Sequence, residues 1–237
     1  MSKARAGKRP PVAAKPKSAG AAWNNIVPSR SAQRELKREA LLRAAVSAFN
    51  RQGFSQTSLE EIANKLGVTK AALYYYFPTK NALLAACFDR AMEMARDSLA
   101  AAKREGRNGR EKLILMFRRY LETMMGELSE SLLLTEEHAL TPRERNKLIE
   151  QRDAFEGELR SLVREGIRDG SIVPCDPKLT IFLMLGAINW VPKWFSPKGS
   201  WSNTQVATGI SEMLDRMLST SPPASLARDV GGIPAGR

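Results

Sequence analysis

Hydroxyl and ammonium side chains are concentrated between residues 57 and 80, in a pattern suited to holding phosphate groups. Their O–H and N–H groups are donors that phosphate oxygens accept readily. No second group beside them completes a nucleophile–base pair or a metal-ligand set, so the chemistry they offer is binding. The side chains concerned are Thr57, Ser58, Thr69, Lys70, Tyr74, Tyr75 and Lys80.

Two short helices joined by a tight turn must position these groups. Ser58 followed by Glu61 has the spacing of a capping box and predicts a helix over 58–66. A turn at Gly67-Val68 follows, and Thr69 caps a second helix over 69–76. Leu73 and Phe77 give that helix one apolar edge, which leaves Tyr74 and Tyr75 pointing away from it, while Tyr76 leans towards the buried side. This pattern is typical of a helix-turn-helix, whose second helix fits a major groove of DNA.

The rest of the chain also has a helical pattern, and the predicted fold class is all-α. No stretch alternates apolar and polar residues as a strand does. Cap residues, apolar periodicity and glycines predict the remaining helices over 33–52, 80–104, 110–128, 142–169, 176–194 and 203–219. We expect four segments: a disordered basic tail over 1–30, a DNA-binding domain over 31–82, a ligand-binding and dimerisation domain over 83–220, and a flexible tail over 221–237.

Nearly all of the net positive charge lies in the first third of the chain. The 237 residues have a net charge of +12. Residues 1–30 carry seven Lys or Arg and no acidic residue, and residues 31–82 carry eight Lys or Arg against four acidic residues. The remaining residues are almost neutral. Such asymmetry indicates a basic module that meets a polyanion and a neutral module with another task.

Several other functional classes lack the residues they need. His138 is the single histidine, and Thr135 stands where a Glu-x-x-His metal motif would need glutamate. Cys87 and Cys175 have no neighbouring Cys or His to complete a metal site. Neither a Gly-x-Ser-x-Gly nor a phosphate-binding P-loop motif is present. We therefore expect no enzymatic activity, no metal and no cofactor. The apolar runs are too short for a membrane span, so we expect a cytoplasmic protein that associates with DNA.

The run from about Leu41 to Leu84 resembles the DNA-binding domain of the TetR family of bacterial transcriptional repressors. The residues that carry the resemblance are Ala44-Ala45, Phe49, Gly53-Phe54, Thr57-Ser58, Ile62-Ala63, Gly67-Val68-Thr69, Leu73-Tyr74, Tyr76-Phe77 and Lys80 before Leu83. Two positions depart from the family pattern: Tyr75 stands where many members have His, and Ala71 where Gly or Pro is frequent.

The resemblance implies a role for each matching residue. Phosphate contacts fall to Thr57, Ser58, Tyr74, Tyr75 and Lys80, and base edges to Thr69, Lys70 and Ala71. On this interpretation Lys80→Ala weakens binding to all DNA sequences equally and lowers the salt dependence. The resemblance also implies a repressor that binds a near-palindromic double-stranded operator as a homodimer.

Two apolar helices in the second half are candidates for the subunit interface. Residues 179–190 are apolar nearly all round, which predicts a helix buried on every side by protein core and partner. The last helix has an apolar stripe, and the resemblance places dimerisation on these two helices. The candidate residues are Phe182, Gly186, Val206, Ile210, Met213, Leu214 and Met217. The alternative, in which both stripes pack only within one subunit, stays open.

A ligand pocket is expected in the same half. Met116, Tyr120 and Met124 offer an adaptable apolar wall. The segment 189–195 resembles TetR-type regulators that sense acyl-CoA thioesters; this implies ligand contacts by Asn189, Trp190, Lys193, Trp194 and Arg152. Such an effector acts by binding a conformation that no longer fits the operator. Packing of the Met and Trp residues in the core is the open alternative.

Two other functions remain as alternatives at this point. One is a helical lipid- or CoA-binding protein without a DNA role, which predicts no sequence-selective binding to DNA. The other is an architectural nucleic-acid binder that uses its tail, for which deletion of residues 1–30 abolishes binding.

Overall fold

The computed structural model describes residues 29–126, 137–196 and 198–220. Within them the chain forms eight α-helices and one short 3₁₀ turn, and no strand, which confirms the all-α prediction. The helices are α1 (Arg30–Gln56), α2 (Leu59–Lys65), α3 (Lys70–Tyr76), α4 (Lys80–Glu105), α5 (Gly109–Gly126), α6 (Pro142–Asp169), α7 (Pro177–Trp194) and α8 (Asn203–Leu218), with the 3₁₀ turn at Glu137–Ala139. The tail predicted over 221–237 and nearly all of the tail predicted over 1–30 lie outside the described residues.

Cap residues set the helix boundaries where the sequence predicts them. Complete capping boxes begin α6 at Thr141 and α8 at Ser202. Each cap side chain accepts from the backbone N–H three residues later, of Glu144 or Gln205, and the side chain of that residue accepts from the backbone N–H of the cap. Asp176 accepts from two amides at the start of α7. Gly170, at φ 78°, ends α6 in the left-handed conformation.

The capping box predicted at Ser58 forms only in part. The Ser58 hydroxyl accepts from Glu61 N at 3.0 Å, as expected. The Glu61 carboxylate does not reach back but accepts from Gln52 Nε2 at 2.6 Å, and Arg51 lies 3.6 Å from it. The Glu61 carboxylate therefore connects α2 to the end of α1, through the neutral amide of Gln52 and the nearby charge of Arg51.

The chain divides into two compact units, residues 1–40 and 41–237. The described part of the first unit is the exposed start of α1. In the second unit α5 is the central helix and packs against α4, α6 and α8. Its side chains Leu113, Met116, Phe117 and Leu121 are fully buried. The predicted domain boundary at residues 82 and 83 stays a prediction.

The apolar residues of α7 divide into two faces. One face is buried in the subunit's own core and the other is exposed; burial of the exposed face by a partner subunit stays a prediction. Ile181, Met184, Ile188 and Val191 are fully buried, whereas Leu179, Phe182, Leu183 and Trp190 are exposed.

None of the helices in the described residues is long and apolar enough to cross a lipid bilayer.

Candidate nucleic-acid interface and internal cavity

Helix α3 is attached to the protein by one edge only. Val68 N donates to Ala63 O at 3.0 Å across the turn, where Gly67 has φ 64°. Thr69 Oγ1 accepts from Ala72 N at 3.2 Å and caps the helix as predicted. Leu73 is fully buried and anchors α3 in the core. The remaining faces of this seven-residue helix are open to solvent.

The outward face of α3 carries two tyrosines. Tyr74 is 42% exposed and Tyr75 is 68% exposed, while Tyr76 is half-buried against the core. The rings of Tyr75 and Tyr76 meet edge-on with centroids 5.3 Å apart, and this contact restricts the orientation of the Tyr75 ring. Ala71 is exposed as well. These orientations are the ones the helical pattern predicts; contact of these residues with phosphates and bases stays a prediction.

Two further predicted residues lie at the margin of this face. Lys70 Nζ lies 3.4 Å from the Glu60 carboxylate, and both side chains are more than half exposed. An ion pair of this kind contributes little to stability and is readily exchanged for another partner. Ser58 is exposed and uses its hydroxyl as the cap of α2.

Thr57 does not belong to the exposed surface, which corrects the sequence-based prediction. It is 2% exposed, and its hydroxyl donates to Gly53 O at 2.8 Å and to Ala48 O at 3.3 Å. Both bonds hold the bend of α1 at Gly53, which has φ 81° and ψ 160°, and Thr57 N also donates to Gly53 O at 3.3 Å. The Thr57 side chain is part of the bend.

Lys80 is half-buried and its ammonium group is engaged within the protein, while the predicted phosphate contact stays a prediction. Its ammonium group donates to Phe54 O at 2.7 Å, Thr57 O at 2.9 Å and Ser55 O at 3.4 Å. It also lies 4.3 Å from the centroid of the Phe54 ring. All three ammonium hydrogens therefore have carbonyl acceptors, and we call this arrangement the Lys80 cradle. It connects the first residue of α4 to the segment between α1 and α2.

A cavity of about 220 Å³ lies between α4, α5, α6 and α7. Most of its wall is apolar, and four polar side chains interrupt it. The lining residues are Phe88, Ala91, Met92, Ala95, Tyr120, Leu148, Arg152, Phe155, Glu156, Leu185 and Asn189. An apolar hollow with a few polar groups is the usual form of a small-molecule site.

The polar wall of the cavity is held by ion pairs and by burial. Arg152 donates to Glu137 at 2.5 Å and lies 5.9 Å from the centre of the Phe88 ring. Glu156 lies 3.2 Å from Arg160 Nε. Burial raises the pKa of Tyr120, and the nearby Arg152 charge acts in the opposite direction. The phenol is therefore a neutral hydrogen-bonding group.

The predicted ligand residues reach this cavity only in part. Tyr120, Arg152 and Asn189 line it, whereas Met116 and Met124 are buried core residues outside its wall. Trp190, Lys193 and Trp194 are exposed and do not line it. The Trp194 ring instead meets that of Trp201 edge-on, with centroids 6.2 Å apart.

Sequence reasoning missed most of the apolar wall, although a signal was present. Residues 88, 91, 92 and 95 on α4 have helical spacing, and so do 148, 152, 155 and 156 on α6. Each set marks one face of its helix. Spacing alone does not distinguish a face packed against a neighbour from one that borders a hollow, so these residues look like ordinary core.

Both α7 and α8 carry exposed apolar side chains. Phe182 is 48% exposed, Met213 69% and Met217 38%, and a Cβ added at Gly186 would meet no atom within 4 Å. Ile210 is half-buried against the core. Val206 and Leu214 are buried within their own subunit, which corrects their assignment to the interface.

The described residues contain no group of three or more His, Cys, Asp or Glu side chains that could hold a metal ion.

A short exposed helix on a two-helix unit, beside a helical body with an internal cavity, defines the class of helix-turn-helix DNA-binding regulators. The profile "Bacterial regulatory proteins, tetR family" matches residues 41–87, and "Tetracyclin repressor-like, C-terminal domain" matches residues 106–218. The chain belongs to the TetR family of transcriptional regulators.

Relatives and solved structures agree with this assignment. The chain is 31% identical over 161 residues to the HTH-type transcriptional regulator RutR of Escherichia coli (strain K12), spanning 65% of this chain and 73% of RutR. The TetR family regulator PfmR from Thermus thermophilus superposes with a TM-score of 0.65 at 26% identity, over 74% of this chain and 97% of PfmR. AibR, solved in complex with isovaleryl coenzyme A and operator DNA, gives a TM-score of 0.64 at 26% identity, over 74% and 96% of the two chains.

Proposed function

We propose that the protein is a ligand-responsive repressor that binds a near-palindromic operator as a homodimer and is released by a small hydrophobic effector. The observation that carries the DNA-binding part is the open face of α3, with Tyr74 and Tyr75 outward and Lys70 at its margin. Phenol and ammonium donors on such a face fix the helix against phosphates, while the first turn faces the base edges.

The exposed surface of α7 and α8 supports the homodimer. Several large apolar side chains are exposed on each of these helices, and exposed apolar patches are typical of interaction surfaces. A seven-residue helix reads few bases, so one copy offers little discrimination. A second copy related by a two-fold axis places another α3 one helical turn of DNA away, about 34 Å, and joins the two binding events.

The cavity supports an effector. Its walls come from four helices, and α4 is one of them, so a bound molecule contacts the helix that begins at the Lys80 cradle. A molecule that binds one arrangement of α4 better than another shifts the population towards it. An acyl-CoA thioester, the kind of ligand present in the AibR complex, is one candidate. Its acyl end would enter the cavity, and its nucleotide would stay outside.

Binding to the DNA upstream of the protein's own gene tests the proposal. We expect the full chain to shift this fragment, to prefer it over a shuffled fragment of equal length, and to lose affinity steeply as salt rises. Tyr75→Ala should weaken binding, whereas Trp201→Ala, an exposed aromatic on a distant loop, should not. Absence of selective binding, with a lipid or CoA ligand still bound, would establish the alternative of a binding protein without a DNA role.

A further inference from the structure

We propose that the cavity takes a compact neutral group, an amide on an apolar body, either as a whole molecule or as the inserted end of a larger one. This inference rests on the proposed function, because it names the chemistry of the effector at the same site. Three observations carry it: the volume of the cavity, the pairing of its charges, and the hydrogen-bonding groups that its wall leaves unused.

The volume limits the size of the ligand. A space of about 220 Å³ holds roughly 10–14 non-hydrogen atoms at the packing density of a protein interior. Phe88, Met92, Leu148, Phe155 and Leu185 form its apolar wall. The part of the ligand that lies inside the cavity is therefore a short alkyl chain or a single ring.

The charges of the wall are paired. Arg152 is bonded to Glu137 at 2.5 Å, and Glu156 lies 3.2 Å from Arg160. A free carboxylate or amine in the cavity would lose its hydration without gaining an unpaired opposite charge. The wall therefore favours a ligand without net charge.

The wall nevertheless offers donors and an acceptor. Glu156 Oε1 is buried and accepts no hydrogen bond from the described residues, because Arg160 Nε does not point its hydrogen at it. Arg152 donates one N–H to Glu137, and its other guanidinium N–H groups are available to a ligand in the cavity. The side chains of Tyr120 and Asn189 also line the cavity, and each can donate or accept a hydrogen bond.

An amide matches this arrangement in geometry. Arg152 and Glu156 stand on successive turns of α6, about 6 Å apart along the axis. The carbonyl oxygen and N–H of an amide point in opposite directions, so the oxygen can accept from Arg152 while the N–H donates to Glu156. A ketone or ester fills only the first role and leaves the buried Glu156 oxygen without a donor, which carries a desolvation cost.

Two sources could supply this chemistry. One is a free small amide. The other is a short acyl-CoA thioester, in which the first amide of the pantetheine arm follows the thioester by a few bonds. Both bring a neutral amide on an apolar body into the cavity.

Calorimetric titration of the full-length protein tests the proposal with three probes of equal size: 3-phenylpropanamide, 3-phenylpropanoate and 4-phenylbutan-2-one. The amide should bind about tenfold more tightly than the ketone and the carboxylate, as expected for one buried hydrogen bond to a charged group. Equal affinities, a preference for the carboxylate, or no binding of any probe would overturn the proposal.

Variants of α6 sharpen the test. Glu156→Met removes the acceptor and should abolish the preference for amide over ketone, while Glu156→Gln keeps an acceptor oxygen and should retain most of it. Glu158→Met, on the exposed side of the same helix, is the matched control and should change neither affinity. An amide preference that survives Glu156→Met would overturn the proposal. Helix content and unfolding temperature show that each variant is folded.

A fourth probe identifies the source. The isovaleryl thioester of N-acetylcysteamine has the acyl chain and amide of the CoA compound without its nucleotide. Tighter binding than that of 3-phenylpropanamide assigns the site to acyl-CoA, and weaker binding assigns it to a free amide; both agree with the proposal. Operator binding without any probe is measured in parallel. Its loss would count against the proposed function, whereas its presence without an amide preference would count against this inference alone.

Discussion

The ammonium group of Lys80 lies 2.7 Å from the carbonyl oxygen of Phe54, and it lies above the ring of the same residue. The first residue of α4 therefore holds the backbone of the segment that precedes α2. This relationship gives Lys80 a structural task at the position where family resemblance alone implies a phosphate contact.

Lys80→Ala should reduce stability and leave the salt dependence of operator binding unchanged. Removal of the ammonium leaves the Thr57 carbonyl without its donor and the Phe54 carbonyl with only the Thr57 N–H at 3.3 Å, which should lower the free energy of unfolding by about 2 kcal/mol. Urea unfolding and operator titrations at several salt concentrations measure the two effects. Lys70→Ala is the control: its stability should be unchanged, and its salt slope should fall by about 1. The reverse pattern would restore Lys80 as a phosphate contact.

Gly53→Ala should destabilise the bend in α1. Gly53 has φ 81° and ψ 160°, a region essentially restricted to glycine, so a side chain there costs about 1–3 kcal/mol. Gly157→Ala, in an open stretch of α6, should instead stabilise the protein by about 0.5–1 kcal/mol. Thermal or urea unfolding separates the two. Equal effects would show that the bend imposes no strain.

Met213→Glu should shift the protein towards monomers. Met213 is 69% exposed, so the folded monomer should tolerate the change to within about 0.5 kcal/mol. Across a subunit interface the new carboxylate would be buried unpaired, which should weaken dimerisation at least about 100-fold. Sedimentation equilibrium measures the association. Leu36→Glu, at an equally exposed apolar position, is the control; a dimer unaffected by Met213→Glu would place the interface elsewhere.

Asp169 should govern part of the loss of stability in acid. Its carboxylate accepts from Gly109 N and Ser171 N, each at 2.9 Å, and these bonds lower its pKa from the ordinary value of 3.8. A pKa that is lower in the folded state stabilises the protein above the unfolded value, and this contribution is lost as pH falls through the folded value.

Asp169→Asn should therefore lower the unfolding temperature at neutral pH and reduce its decline below about pH 4. Thermal unfolding from pH 7 to pH 2 measures both effects. Asp97→Asn, on the exposed side of α4, is the control and should leave the curve unchanged. An unaltered acid decline in Asp169→Asn would mean that these bonds do not couple to folding.

Most helix boundaries could be predicted because they depend on local chemistry. Thr69, Thr141, Asp176 and Ser202 act on amides within three residues of themselves, so the sequence contains the whole interaction. Glu61 differs, because Gln52 and Arg51 come from another helix and compete for its carboxylate. Local pattern does not include such partners.

The candidate site could be predicted less completely for the same reason. Thr57 and Ser58 are adjacent hydroxyl residues, yet one turns inward to the α1 bend and the other caps α2. On α8, Met213 and Leu214 are neighbours in one apolar stripe, and only the arrangement of α5 decides that Leu214 is buried. Which side of an apolar helix meets its own subunit is a tertiary property.

Helix α4 runs without a break from the Lys80 cradle past the cavity wall, where Phe88 lies two turns along the helix, at about 12 Å. An unbroken helix behaves as a stiff rod over this length. A molecule that displaces α4 at Phe88 must also stretch the three hydrogen bonds that Lys80 makes at the start of the helix. Part of the free energy of enlarging the cavity is therefore transmitted to the backbone that leads into α2.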